Sequence, residues 1–195
     1  MTKKPTTTDF DVPRPGPTIL DHLPQRALLR ELKGMDLSNQ DLRGQDLHHA
    51  DLTGCDLAGA DLRAVKLRGS NLADVYLAST DLRGADLRQV TMSFQCDDTD
   101  FGGADLRDGF IGVMDATDDS DPPSFTNADL RGCRLRGHLR GARFNGADLR
   151  GADFNGDATG ATFSGAKLDA SAWKSAERCK GDLTGAIPVG FDPTA

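Results

Sequence analysis

Leucine returns at every fifth position along one long stretch of the chain, at Leu37, Leu42, Leu47, Leu52, Leu57, Leu62, Leu67, Leu72, Leu77, Leu82 and Leu87, and Met92 holds the next place. An α-helix needs apolar residues three and four apart and a half-buried strand needs alternation, so a sustained spacing of five suits neither. It suits a coil that turns a corner once per repeat. The residue two before each leucine is small, as at Ala50, Cys55, Ala60, Ser70, Ala85, Ala104, Ala128 and Ala152. Two inward side chains per repeat therefore share one narrow interior.

Composition agrees with frequent turning. The chain holds 22 Gly, and of its 30 acidic residues only Glu31 and Glu177 are glutamate. Asp favours turns where Glu supports helix interiors. With 23 Lys plus Arg the net charge is −7, which disfavours nucleic-acid binding driven by phosphate contacts. The start of the chain, through Met1, Thr2, Lys3, Lys4 and Pro5, has no apolar segment of the kind that directs secretion, and no stretch is long or apolar enough to span a membrane. The expectation is a cytoplasmic protein with no membrane partner. Cys55, Cys96, Cys133 and Cys179 form no CxxC pair, so neither a zinc site nor a disulfide framework is expected. Cys55 and Cys133 occupy the small inward position and read as buried replacements for alanine.

The unit in its fullest form is Ala-Asp-Leu-Arg-Gly, at Ala128 to Gly132 and again at Ala147 to Gly151. In these residues, and over roughly Met35 to Ala186, the chain resembles the pentapeptide-repeat family. The resemblance implies an all-β solenoid, a right-handed quadrilateral β-helix in which four repeats make one square coil. It further implies that the central Leu or Phe and the residue two before it point inward, with the other three facing solvent. The chain then divides into a Pro/Thr-rich, disordered tail over 1–18, an N-terminal capping helix within 19–34, the β-helix over 35–186 and a C-terminal tail over 187–195. The cap is read at Leu23 to Lys33, with Pro24 in its first turn and Gly34 as its stop. Trp173, the only tryptophan, keeps the repeat register between Leu168 and Leu183 and is assigned to capping or core.

Beyond Met92 the register slips four times: between Met92 and Phe101, Ile111 and Phe125, Leu135 and Phe144, and Phe154 and Phe163. Three regular repeats always separate the slips. One irregular side recurring after three regular ones must fall on the same flank of a four-sided coil each time. That column is expected to run through Gln95 to Asp98, Met114 to Pro122, His138 to Gly141 and Asp157 to Gly160, then Ala176 to Lys180, and back to Tyr76, the outward-facing sole tyrosine. Charge is concentrated beside it. Nine Asp lie between Asp97 and Asp121 against Arg107 alone, whereas Arg131 to Arg150 holds six Arg against Asp148. Edges of one sign attract complementary partners.

A coil filled with its own side chains has no concave, water-excluding pocket, so no catalytic residue and no enzyme activity are expected. His22, His48, His49 and His138 suggest surface or turn roles. Asp115 to Asp121 is rich in oxygen donors but lacks the spacing and glycine of an EF-hand, so no metal or other cofactor is assigned. The functional expectation is a non-enzymatic interaction scaffold. Its partner-binding residues are taken as Tyr76, Asp97, Asp98, Asp115, Asp118, Asp119, Asp121, His138 and Arg140, facing a protein partner of unknown identity. The family resemblance implies an alternative, since some of its members are DNA mimics that bind DNA gyrase and confer quinolone or toxin resistance. Arg43, Arg63, Arg68, Arg83, Arg88 and Arg107 neutralise much of the Asp row here, and Ser171 to Lys180 is short and polar where dimerising gyrase protectors carry an apolar helix. A monomer is expected on that ground.

Overall fold

In the computed structural model, residues 32–95, 98–114 and 121–194 are described. Each regular repeat closes a β-turn on itself: Ala60 N donates to Leu57 O at 3.0 Å and Ala85 N to Leu82 O at 3.1 Å. The third residue of such a turn sits at positive φ, and the chain accepts that conformation even without glycine, at Ala64 (φ 54) and Ser79 (φ 52). Where an aspartate precedes the leucine, it fixes the same turn from outside. Asp81 accepts from the Arg83 backbone N at 3.1 Å and from Arg83 Nε at 2.8 Å.

Four such turns complete a coil, and the coils stack through parallel backbone bonds. Leu37 N donates to Asp56 O at 2.7 Å, and Asp56 N donates to Met35 O at 3.0 Å. Asp36 bridges Asp56 and Asp61 bridges Asp81, twenty residues on in each case. Further along, Asp81 bridges Asp100 and Ser124 bridges Arg143, only nineteen on. Asp100 bridges Ser124 across twenty-four.

One side of the square is drawn out into strands: β1 (Asn71–Tyr76), β2 (Thr91–Gln95), β3 (Phe110–Met114), β4 (Arg134–His138) and β5 (Asp153–Asp157). They form one parallel sheet in sequence order. The lost residue lies in this sheet. Leu72 pairs with Met92 and Val75 with Phe94, so Ala73 and Asp74 of β1 face the single Ser93 of β2. With the positive-φ residue gone (Asp74, φ 57), β2 runs straight where β1 still turns. The slips do stack on one flank, but they sit two to three residues earlier than the segments named from sequence.

The interior is continuous from Leu32 to Cys179; the central apolar residues line it from Leu37 to Leu168, and from Ala50 onward the small residue two before each is buried with them. Phe101, Phe125, Phe144 and Phe163 stack as a ladder, with ring centroids 4.8, 5.1 and 5.0 Å apart. Each such side chain contributes roughly 1.5–3 kcal/mol on burial. Polar groups at the small inward position are satisfied by the preceding coil: Thr80 Oγ1 donates to Leu57 O at 2.8 Å, and Cys133 Sγ to Leu106 O at 2.7 Å. Cys55 and Cys133 are buried, as expected for alanine replacements, and burial pushes the Cys133 thiol up to about 12.

Near its C-terminal end the array departs from the repeat. After β6 (Lys167–Leu168) the chain enters helix α1 (Ala170–Arg178) and then β7 (Ile187–Pro188), which pairs with β6. Asp169 caps the helix by accepting from Ala172 N at 3.0 Å. The helix lies along the outer edge of β5, where Arg178 Nη2 donates to Phe154 O at 2.9 Å and Phe154 N donates to Ser175 Oγ at 3.3 Å. Residues 176–180, expected to continue the irregular column, thus belong to the end of a helix and the turn after it. Trp173 packs edge-on against Phe191, centroids 5.6 Å apart, in keeping with a capping role. The N-terminal helix expected within 19–34 lies outside the described residues, apart from the buried Leu32 and the turn at Lys33 and Gly34.

In β4 and β5 the residues in register with the inward Phe94 and Val113 are glycines, Gly137 and Gly156. A Cβ on Gly156 (φ +155) would fall 1.9 Å from Gly137 O, whereas one on Gly54 (φ +68) would meet nothing within 4 Å. Gly54→Ala is therefore expected to cost about 1 kcal/mol, the strain of a left-handed alanine. Gly156→Ala is expected to cost about 3 kcal/mol or more, because backbone must move. Urea unfolding of the two variants tests this; equal midpoints would refute it.

Candidate functional site

The outer surface of the β1–β5 sheet is the candidate site. Three of the exposed large hydrophobic residues among those described lie on it: Tyr76 (42%), Phe110 (41%) and Met114 (37%). Tyr76 pairs with Gln95 and Gln95 with Met114, so the tyrosine and methionine share one column two strands apart. Phe110 stands in the other column, between Thr91 and Arg134. Small residues, Ser93 and Gly112, separate the columns and leave the surface flat. Sequence reasoning found Tyr76, placed Met114 in the irregular column without assigning it to the binding set, and missed Phe110. The signal for Phe110 was available, since it directly precedes the inward Ile111 and so must point out.

The charged residues fall around this apolar centre. Asp98, at φ 52, is exposed and its N donates to Asp121 O at 2.9 Å, which ties the two acidic segments together. Asp121 is exposed as well. His138 ends β4 opposite Asp157 of β5, and Arg140 Nη1 approaches Asp157 Oδ2 at 3.8 Å. Asp97, Asp115, Asp118 and Asp119 lie outside the described residues. The arginine-rich segment is less lopsided than its sequence suggests. Arg131 pairs with Asp129 at 2.8 Å, Arg150 with Asp148 at 2.6 Å and Arg136 with Asp153 at 2.7 Å. Arg134 makes no ion pair among the described residues.

Asp–Arg ladders run along two other sides, the one opposite the sheet (from Asp41) and the one that precedes the sheet in the winding (from Asp46). Arg43 bonds Asp41 through Nε at 2.7 Å and Arg88 bonds Asp86 in the same way at 2.7 Å, and each arginine leans towards the aspartate of the next coil. The bond from its arginine holds the Asp41 carboxyl below the ordinary range, and the same bond does so for Asp86. Lys66 interrupts one ladder, and among the described residues Arg68 bonds only Gln89 Oε1, at 3.4 Å. Arg68, Arg88, Gln89, Arg107 and Asp108 line a shallow polar depression there. Among the described residues no group of His, Cys, Asp or Glu could hold a metal ion. No helix among them is long and apolar enough to cross a membrane.

The family model for pentapeptide repeats matches in eight copies, over residues 31–57, 55–93 and 124–156. Those spans coincide with the coils described above. The chain is a pentapeptide-repeat protein. Among solved structures, the pentapeptide-repeat fold matches a trypsin-treated variant of QnrB1, a plasmid-mediated fluoroquinolone resistance protein. The identity is 21%, with 85% of this chain and 86% of that one covered, at a TM-score of 0.57. A pentapeptide-repeat protein of the Arabidopsis thaliana thylakoid lumen shares 26% identity over 53% of this chain and 67% of its own, at a TM-score of 0.32. HetL, from the cyanobacterium Nostoc and involved in heterocyst differentiation regulation, shares 22% over 87% and 90%, at 0.28. No curated protein matches the pentapeptide-repeat chain in sequence. Solenoids of this family are in general non-enzymatic scaffolds.

The lowered carboxyls of Asp41 and Asp86 give the pentapeptide array a pH dependence of known sign. A carboxylate whose folded value is depressed stabilises the fold above its unfolded pKa, about 3.9, and that contribution is lost as pH falls further. Urea midpoints are expected to stay level from about pH 7 to about pH 4 and to drop below it. Asp86→Asn should lower the midpoint at neutral pH and flatten the acid drop. An unchanged acid drop in that variant would count against the pairing.

Proposed function

We propose that this protein is a non-enzymatic interaction scaffold whose strand-bearing side, with the acidic residues along it, engages a protein partner. One observation carries the reading. Tyr76, Phe110 and Met114 are exposed together on a flat sheet, whereas the two ladder sides are covered by paired Asp and Arg. An apolar surface rimmed by charge is the usual composition of a protein-binding patch. The partner-facing set is Tyr76, Asp97, Asp98, Asp115, Asp118, Asp119, Asp121, His138 and Arg140, to which Phe110 and Met114 are added. We place the protein in the cytoplasm, and we assign it no cofactor, no direct nucleic-acid contact and no membrane contact.

The excess of seven negative charges favours a second reading, a DNA mimic that binds gyrase. The ladders weigh against it, because each paired arginine cancels an aspartate that mimicry would need exposed. Supercoiling by gyrase in the presence of a quinolone separates the two readings. Protection that is lost in Asp98→Asn/Asp121→Asn favours mimicry; no protection favours the scaffold. For the scaffold, affinity capture with full-length bait is expected to recover a partner that baits carrying Tyr76→Ala or lacking Asp118 to Pro122 lose. Equal recovery by all three baits would remove this side from the binding site.

A further inference from the structure

We infer that the β1–β5 surface is also self-complementary, and that it pairs two copies of this chain face to face, antiparallel, about a two-fold axis running along β2. The inference rests on the reading that this side is an interaction surface, and it names a second copy as one occupant.

The argument comes from the order of residues across the rungs. One column reads Asp51, Asn71, Thr91, Phe110, Arg134 and the other Asp56, Tyr76, Gln95, Met114. A two-fold axis along β2 keeps each column over itself and exchanges the rungs on either side of that strand. Asp51 then faces Arg134 of the second copy, and Tyr76 faces its Met114. In an isologous interface every such contact occurs twice. Asp51 and Arg134 make no ion pair among the described residues, although most arginines of the two ladders do. Shape agrees with charge. The extra residue of β1, at Ala73 and Asp74, falls opposite Gly112, which has no side chain to obstruct it.

The parallel alternative, with the axis along the solenoid, exchanges the columns within each rung. It sets Asp51 against Asp56 and Arg134 against His138, like groups on like. The antiparallel arrangement sets Asp51 against Arg134 and Asp56 against His138, and its one like-charged pair, Asp36 against Asp157, falls at the outer rim. Five strands about 4.8 Å apart and five residues about 3.3 Å long outline roughly 400 Å² per copy, about 800 Å² in total, which is below the span of a stable interface and in the range of weak, transient ones. The dimer should therefore be weak and concentration-dependent.

Sedimentation of the full chain over about 1 to 300 µM, with the dichroism melt of each variant as a folding control, tests the inference. Lys66, Arg134 and Arg143 already occupy the position equivalent to Asp51 in other repeats, so a basic residue is accommodated there. Asp51→Arg and Arg134→Asp should each weaken self-association about tenfold or more, by placing like charges in contact. The double variant should restore it to within about threefold of the original. A chain that stays monomeric throughout, or a double variant no stronger than either single one, overturns the inference. The chain lacking Asp118 to Pro122 should still self-associate, so loss of an external partner in that variant and loss of the dimer in the charge variants are separate outcomes.

Discussion

Everything in this molecule depends on coils stacking directly over one another, with two inward side chains per repeat filling the axis between them. Because the backbone of each coil is bonded to the next, a side chain can fill its layer only if the coil above and the coil below hold the same register. That single requirement explains the invariance of the leucine spacing, the small residue two places before it, and the hydroxyl and thiol groups that satisfy themselves on the carbonyls of the preceding coil. It also leaves the surface as the place where sequence is free to vary, and charge and apolar character are sorted there by side.

The stacking was open to reading from sequence because period five has no competitor among regular structures. The small inward residues, the burial of Cys55 and Cys133 and the recurrence of the slips on one flank followed from the same count. The place of the missing residue did not. Between Met92 and Phe101 a single deletion can be drawn at several points with equal spacing, and only the pairing of Leu72 with Met92 and Val75 with Phe94 puts it inside the strand. The straightened corner also admits Phe94 and Val113 where the repeat calls for something small, so the pattern there conceals two core residues.

Helix α1 escaped notice for a related reason. Trp173 and Arg178 sit at multiples of five from Leu168, so the count runs through the helix as though the coil continued. The contrary signals were local: Asp169 at a cap position, and Ala172, Ser175 and Ala176 buried at intervals of three and four. By placing a helix along β5, the chain closes the open edge of its widest sheet, an edge that would otherwise template unwanted strand pairing. The candidate site was half legible. Tyr76 stood out as the sole tyrosine, whereas the pairing of arginines with aspartates one coil away depends on three-dimensional neighbours that a linear tally of charge does not contain.

From Met114 to Ser124 the chain spends ten residues where Gln95 to Asp100 takes five, yet Asp100 still bridges Ser124 and Phe110 still pairs with Arg134. Five residues are the length of one wall of the square. Had they been threaded into the wall, everything after them would have swung by a quarter turn, and β4 and β5 would look out in a different direction from β1. Because the pairings on either side of the added length are kept, the walls before and after it still face the same way. A tower of this design can therefore take on length between two walls without rotating the floors above it.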